Sequence, residues 1–170
     1  MEITTPITER WKLADRDVLL DVGKWFFDQA KLLEEVEQIA LVGSICTAKK
    51  KPKDIDFLVN IRSGADIKAL ATLARKLQGR IQKGNLGADV FIVEDGKYIG
   101  RACHYKDQHP RAVCGHRYLF CSSGRDYLCN TANNFQLKKD VIEKPALILW
   151  PSVIINVELP ADVVAIFDIK

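Results

Sequence analysis

Asp54 and Asp56 flank a single isoleucine at the head of the run DIDFLVNI, residues 54–61. In an extended chain successive side chains alternate between faces, so both carboxylates share one face while Ile55 and Phe57 take the other. The rest of the run is apolar, as a strand inside a sheet requires. Two like charges at such a place repel, and unless protonated they need a cation between them. Hard divalent ions such as magnesium or manganese take oxygen ligands of this kind. A solvent-facing edge strand with alternating charges is the other setting that tolerates the pattern.

The flanking segments read as an alternation of helices and strands. Residues 15–36 place Val18, Val22, Trp25, Phe26 and Leu33 near one helical face, with Asp21, Lys24, Asp28 and Lys31 elsewhere, which predicts an amphipathic helix. Gly23 inside it costs up to about 1 kcal/mol relative to alanine. QIALVG is short, apolar and ends on glycine, as a buried strand entering a tight turn should. After DIDFLVNI comes SGADIKALATLARKLQG, in which Ser63 and Asp66 have capping-box spacing, Ile67, Leu70, Ala71, Ala74 and Leu77 form a stripe, and Gly79 supplies a stop. GNLG then predicts a turn, ADVFIV a strand carrying Asp89, EDGK a second turn, and YIGRACHY another strand. The expected order is helix, strand, strand, helix, strand, strand.

Beyond this point RYLFCSS, SVIINVEL and VVAIFDI have strand character, and residues 125–142 have room for a short helix, while Pro145, Pro151 and Pro160 interrupt the periodicity. The expectation is a core over residues 1–96, with residues 97–170 extending its sheet or forming a small, mainly β module packed as one body with it. If the strand bearing Asp89 lies beside DIDFLVNI, three carboxylates converge.

Gly43-Ser44, nine intervening residues, Asp54-Ile55-Asp56-Phe57, then a helix and an apolar strand with one more aspartate together resemble the nucleotidyltransferase superfamily that includes DNA polymerase beta. The likeness covers about residues 15–95 and extends to the order of elements. It implies an α+β fold with a mixed sheet flanked by helices, and a Gly43-Ser44 turn that binds the triphosphate of a nucleoside triphosphate. It further implies that Asp54 and Asp56 hold magnesium or manganese, with Asp89 as a third ligand that assists the attacking hydroxyl. Proteins of this type often carry an arginine after Gly-Ser and a small polar residue before the first aspartate; here Thr47 to Lys49 and Lys53 stand in those regions. In the run KKKPK, Lys49 and Lys53 offer phosphates point charges without the fork of arginine. A charge run of this kind is also what a solvated loop displays. Asp89 equally suits a turn-capping role after GNLG.

The expected activity is transfer of a nucleoside monophosphate to a hydroxyl acceptor, which is a small molecule, an RNA or a protein. Two alternatives stay open: a nucleotide-binding or interaction module without turnover, and an RNA-binding module in which the carboxylates are incidental. A partner protein or self-association fits a chain that lacks a helical C-terminal half.

Cys103, His104, His109, Cys114, His116 and Cys121 crowd one segment that includes every histidine of the chain. Four such ligands can build a tetrahedral zinc site, but no C-x-x-C occurs and the spacings match no zinc pattern, so zinc is not expected. Lys106, Arg111, Arg117, Tyr105 and Tyr118 in the same segment offer charge and stacking surface to a nucleic acid or a base. A plain solvated hairpin satisfies the same residues.

The net charge of +3 from 25 basic and 22 acidic residues is too balanced to mark a nucleic-acid binder. No apolar run approaches the ~20 residues that span a bilayer, and no basic start precedes an apolar stretch, so no membrane association and a cytoplasmic location are expected. Five cysteines, an odd number, favour reduced thiols.

Overall fold

The computed structural model describes residues 14–81, 83–106, 125–129 and 136–170. Its centre is a mixed, open sheet of seven strands: β1 (Val36–Val42), β2 (Asp54–Ile61), β3 (Gly87–Glu94), β4 (Lys97–Ala102), β5 (Leu128–Cys129), β6 (Leu147–Trp150) and β7 (Ile154–Ile155). The spatial order is β5-β4-β3-β2-β1-β6-β7. Only β2 and β3 run parallel, because the helix α2 (Lys68–Ile81) carries the chain back between them. The fold is α+β, with α1 (Asp15–Ala30), α3 (Lys139–Glu143) and α4 (Ala161–Ile166) as the other helices among the described residues.

The two faces of the sheet differ. On one, Ile39, Leu41, Ile55, Phe57, Val59, Ala88, Val90 and Ile92 meet the buried stripes of α1 and α2 in the main core. Phe26 of α1 lies against Phe57 with ring centroids 4.8 Å apart. Gly23 is the point of closest approach: a Cβ there would stand 2.3 Å from the Ile55 Cδ1. The helix-propensity cost of that glycine therefore secures tight packing on β2. On the other face a smaller cluster of Ala40, Val42, Leu58, Phe91 and Val93 is covered by Leu137, Val141 and Ile142 around α3.

The first six elements follow the expected order, with local differences. α1 ends at Ala30, and Leu33 lies in the turn that precedes β1 rather than on the helix. The capping box does not form: Asp66 alone accepts the Lys68 amide at 2.9 Å, while the Ser63 hydroxyl donates to Asp95 in the β3–β4 turn. α2 runs past Gly79 because the apolar side chain of Ile81 is buried in the core.

The C-terminal third departs further. VVAIFDI is a helix, not a strand: Pro160 stands at its N-cap, and Val163 and Phe167, four apart, both enter the core. Phe167 meets Phe27 of α1 edge-on at 6.0 Å. SVIINVEL contributes only the two-residue β7, and LILW, which the flanking prolines obscure, is strand β6 against β1. The described residues from 97 onward thus add strands to both sides of the sheet and two short helices. RYLFCSS lies outside the described residues. No helix among the described residues is long and apolar enough to cross a membrane.

Candidate functional site

Asp54, Asp56 and Asp89 stand on the sheet face opposite α1 and α2, because each is in phase with the side chains of the smaller cluster, Leu58 on β2 and Phe91 on β3. The parallel register sets Asp56 opposite Asp89 and Asp54 opposite Gly87. On its other side Asp56 pairs with Val42, the last residue of β1, so the Gly43-Ser44 turn begins beside it. Gly43 has φ 79°, a region that disfavours side chains, and a Cβ there would lie 2.9 Å from the Asp56 Oδ2. A Cβ on Gly87 would lie 2.8 Å from the Asp54 Oδ1. Gly43, just past the end of β1, and Gly87 on β3 thus make room for the two carboxylates of β2.

Asp56 is half-buried, and its pKa is pushed up to about 7, first by burial and then by the charges of Asp89 and Asp54. Arg101 and the Asp89 backbone amide, which donates to the Asp56 carboxylate, act in the opposite direction. Asp89 itself accepts from the Arg101 guanidinium at 3.2 Å, and that guanidinium lies 5.5 Å from the Phe91 ring centroid. Among the described residues no three His, Cys, Asp or Glu side chains close into a ready metal shell. The carboxylates are neighbours, yet Asp54 lies against Gly87, Asp56 against Gly43 and Asp89 against Arg101. A set of hard oxygen donors short of positive charge fits magnesium or manganese and does not fit a soft-ligand metal.

Ser44 starts a single 3-10 turn, Ser44–Cys46, held by the Cys46 amide on the Gly43 carbonyl at 3.1 Å. Lys49 and Lys53 are exposed, as are Lys50 and Lys51, and among the described residues none of the four enters an ion pair. The backbone under them is tied down. Arg16, at the start of α1, donates to the Ile45 carbonyl at 2.8 Å and to the Lys49 carbonyl at 3.3 Å, and it pairs with Asp162 of α4. The Lys53 carbonyl accepts the Gly87 amide at 2.9 Å, which binds the end of this loop to β3. Cys46, inside the turn, is buried with its thiol pushed up to about 12, chiefly by desolvation, and is chemically quiet.

Sequence reasoning did not single out Arg16 or Arg101. A plain hairpin through Glu94 and Lys97 would put Arg101 opposite Val90, on the core face. A bulge between Ile92 and Val93 shifts the register by one residue, so Arg101 faces Phe91 instead and reaches Asp89. Gly100 adopts φ 145° in this bulge, and a Cβ on it would meet the Cys129 carbonyl at 2.6 Å. A glycine inside an apparent strand is the signal for such a break.

Of the cysteine and histidine segment, Cys103 and His104 are described; His109, Cys114, His116 and Cys121 lie outside the described residues, as do Arg111, Arg117 and Tyr118. The Cys103 amide donates to the Tyr127 carbonyl at 2.8 Å, and the His104 and Tyr105 rings are 4.0 Å apart. No family model matches the chain, and comparison with curated proteins and with solved structures finds no match.

Proposed function

We propose that the chain is a metal-dependent nucleotidyltransferase that moves a nucleoside monophosphate from a nucleoside triphosphate to a hydroxyl acceptor. The observation that carries this reading is the pairing of Asp56 with Asp89 across parallel strands, two residue pairs from Asp54 and directly beside the Gly43-Ser44 turn. Asp54, Asp56 and Asp89 would hold magnesium or manganese, which would supply positive charge at the transferring phosphoryl group and favour ionisation of the acceptor.

The chain's own groups do the rest. Gly43 leaves backbone open to close approach of phosphate, the Ser44 hydroxyl and amide are donors for its oxygens, and Lys49 and Lys53 add point charges at the rim. Asp89 accepts the proton of the acceptor hydroxyl as its oxygen bonds to the α-phosphorus. The bond from that phosphorus to the β-bridging oxygen breaks, and pyrophosphate leaves with the electron pair. Arg101 must release Asp89 for this step.

A second reading is binding of the triphosphate without turnover. It is favoured by the Asp89–Arg101 contact, which engages the third carboxylate with a guanidinium. One experiment separates the two: each labelled nucleoside triphosphate is offered with magnesium or manganese to the wild type and to an Asp54→Asn, Asp56→Asn variant. Pyrophosphate release or self-labelling lost in the variant is the expected result. Retained nucleotide binding with no release in either protein leaves the binding module, and equal release from both removes the transferase.

A further inference from the structure

On one side the sheet ends at β7, and the chain around that strand is both apolar and open. Val153, Ile154, Ile155 and Val157 are all between 43% and 49% exposed, although they follow one another closely in the sequence. No charged residue occurs from Pro145 to Val157. An edge strand presents unpaired N–H and C=O groups as a template for another strand, and proteins usually guard it with lysine, proline or a bulge. Here Pro151 and Pro160 stand outside the exposed run, and β7 pairs with β6 in regular antiparallel register.

That register fixes which backbone groups stay open. Ile154 lies opposite Ile148 and Ile155 opposite Leu147, and the Asn156 amide donates to the Ala146 carbonyl at 3.0 Å. In an antiparallel ladder, residues alternately turn both backbone groups to the neighbouring strand and both away from it. Ile154 and Asn156 therefore face β6, while Val153 and Ile155 turn their N–H and C=O to the free edge. The Asn156 side chain also donates to the Pro145 carbonyl at 2.7 Å and pins the end of the strand before the chain bends at Val157.

We infer that β7 is the interface of a homodimer, in which two copies pair this strand antiparallel about a two-fold axis at Ile155 and continue one sheet across both. Ile155 of one copy then lies opposite Ile155 of the other and exchanges both of its outward backbone bonds. Val153 of each copy comes opposite Val157 of the other, so apolar side chains meet as cross-strand pairs. Glu158, the first charge after the run, comes opposite Ser152, and no like charges face each other. An occupant of this edge must bring an uncharged, apolar strand that runs antiparallel, and the chain itself carries that strand in a self-complementary register. Such a pairing is isologous and closes at two copies. One short strand with half-exposed side chains falls below the ~1,200 Å² of a standard interface, so the dimer is weak and depends on concentration. With β6 and β1 standing between β7 and the acidic strands, the interface is independent of the transferase reading.

The test is sedimentation velocity of the full chain over a concentration series. A monomer–dimer equilibrium with no larger species is expected. Ile155→Lys sets two like charges opposite each other at the axis and should weaken the dimer by about a hundredfold or more. Its far-ultraviolet spectrum and thermal midpoint should stay as in the wild type, because the side chain is half-exposed. Val153→Lys should also weaken association. Adding Val157→Glu to the same chain should restore it in a salt-dependent way, since position 153 of one copy meets position 157 of the other.

A monomer at every concentration would overturn the inference and leave the edge to a different protein or to none. A dimer indifferent to Ile155→Lys would place the contact elsewhere on the surface and overturn it equally. A mass that climbs past the dimer with concentration would contradict a closed two-fold pairing. Should Ile155→Lys fail to fold, the Val153 and Val157 variants decide alone: association that Val153→Lys leaves unchanged, or that Val157→Glu does not restore, removes the interface.

Discussion

Two residues of the acidic face make opposite demands on the fold. Gly43 suits its place because a Cβ there would crowd an Asp56 carboxylate oxygen at 2.9 Å, and because its φ of 79° favours glycine. Gly43→Ala should therefore displace Asp56 and lower the proposed transfer by ~100-fold, the scale of a misplaced reacting group, with a far-ultraviolet spectrum unchanged. Asp56 carries a cost in the absence of a cation. Its pKa is raised to about 7, chiefly by burial, so the folded chain holds that proton more tightly than the unfolded chain does. The stability Asp56 contributes is thus full below the ordinary carboxylate range and is lost as pH rises through about 7. In chelator, Asp56→Asn should raise stability at pH 8 by on the order of 3 kcal/mol and flatten the pH profile. A denaturation series showing the same slope in both proteins would contradict this.

Among the elements, the β3–β4 hairpin decides which side of the sheet Arg101 serves. The sequence announces the hairpin through EDGK, and the alternation of YIGRACHY assigns Arg101 to a face only if no residue is inserted. The bulge at Gly100 changes that assignment, and periodicity cannot register a slip of one residue. Gly100→Ala is expected to cost about 2–4 kcal/mol through strain and the 2.6 Å approach to the Cys129 carbonyl, measured as a shift in urea midpoint. α4 was illegible for a different reason. VVAIFDI has strand composition, but Pro160 and the burial of Val163 and Phe167 make it a helix, so tertiary packing overrides propensity. Through Asp162 this helix holds Arg16, and Arg16 in turn holds the loop of lysines. The hydrogen bond from Arg16 keeps the Asp162 pKa below its usual value, so its stabilisation is present at neutral pH and fades as pH falls through that lowered value. Asp162→Asn should loosen Ile45 to Lys49, raising amide exchange there several-fold while the sheet interior keeps its protection.

For the whole molecule, the run from α1 to β4 was legible because each piece is long and periodic, and because DIDFLVNI carries its own explanation for two charges on a strand. The three aspartates could be listed from sequence; their relation to Arg101, Arg16 and the two spacing glycines could not, since those contacts join residues far apart in the chain. Residues on either side of position 96 share one sheet and one core. β6 covers the outer edge of β1, and Leu147, Leu149, Val163 and Phe167 are buried in the main core. A fragment of residues 1–96 should consequently fail to give the dispersed amide spectrum of a folded domain. A well-dispersed spectrum from that fragment would show that the later strands are dispensable.

The tight seat of α1 at Gly23 reaches beyond packing. Ile55, pressed against the helix from behind, is the residue between Asp54 and Asp56. The strand beneath the two acids consequently rests on an anvil, with little slack to recoil. Were a dication to be captured there, as proposed, the acidic groups would have to swivel about their own bonds over a floor that stays put.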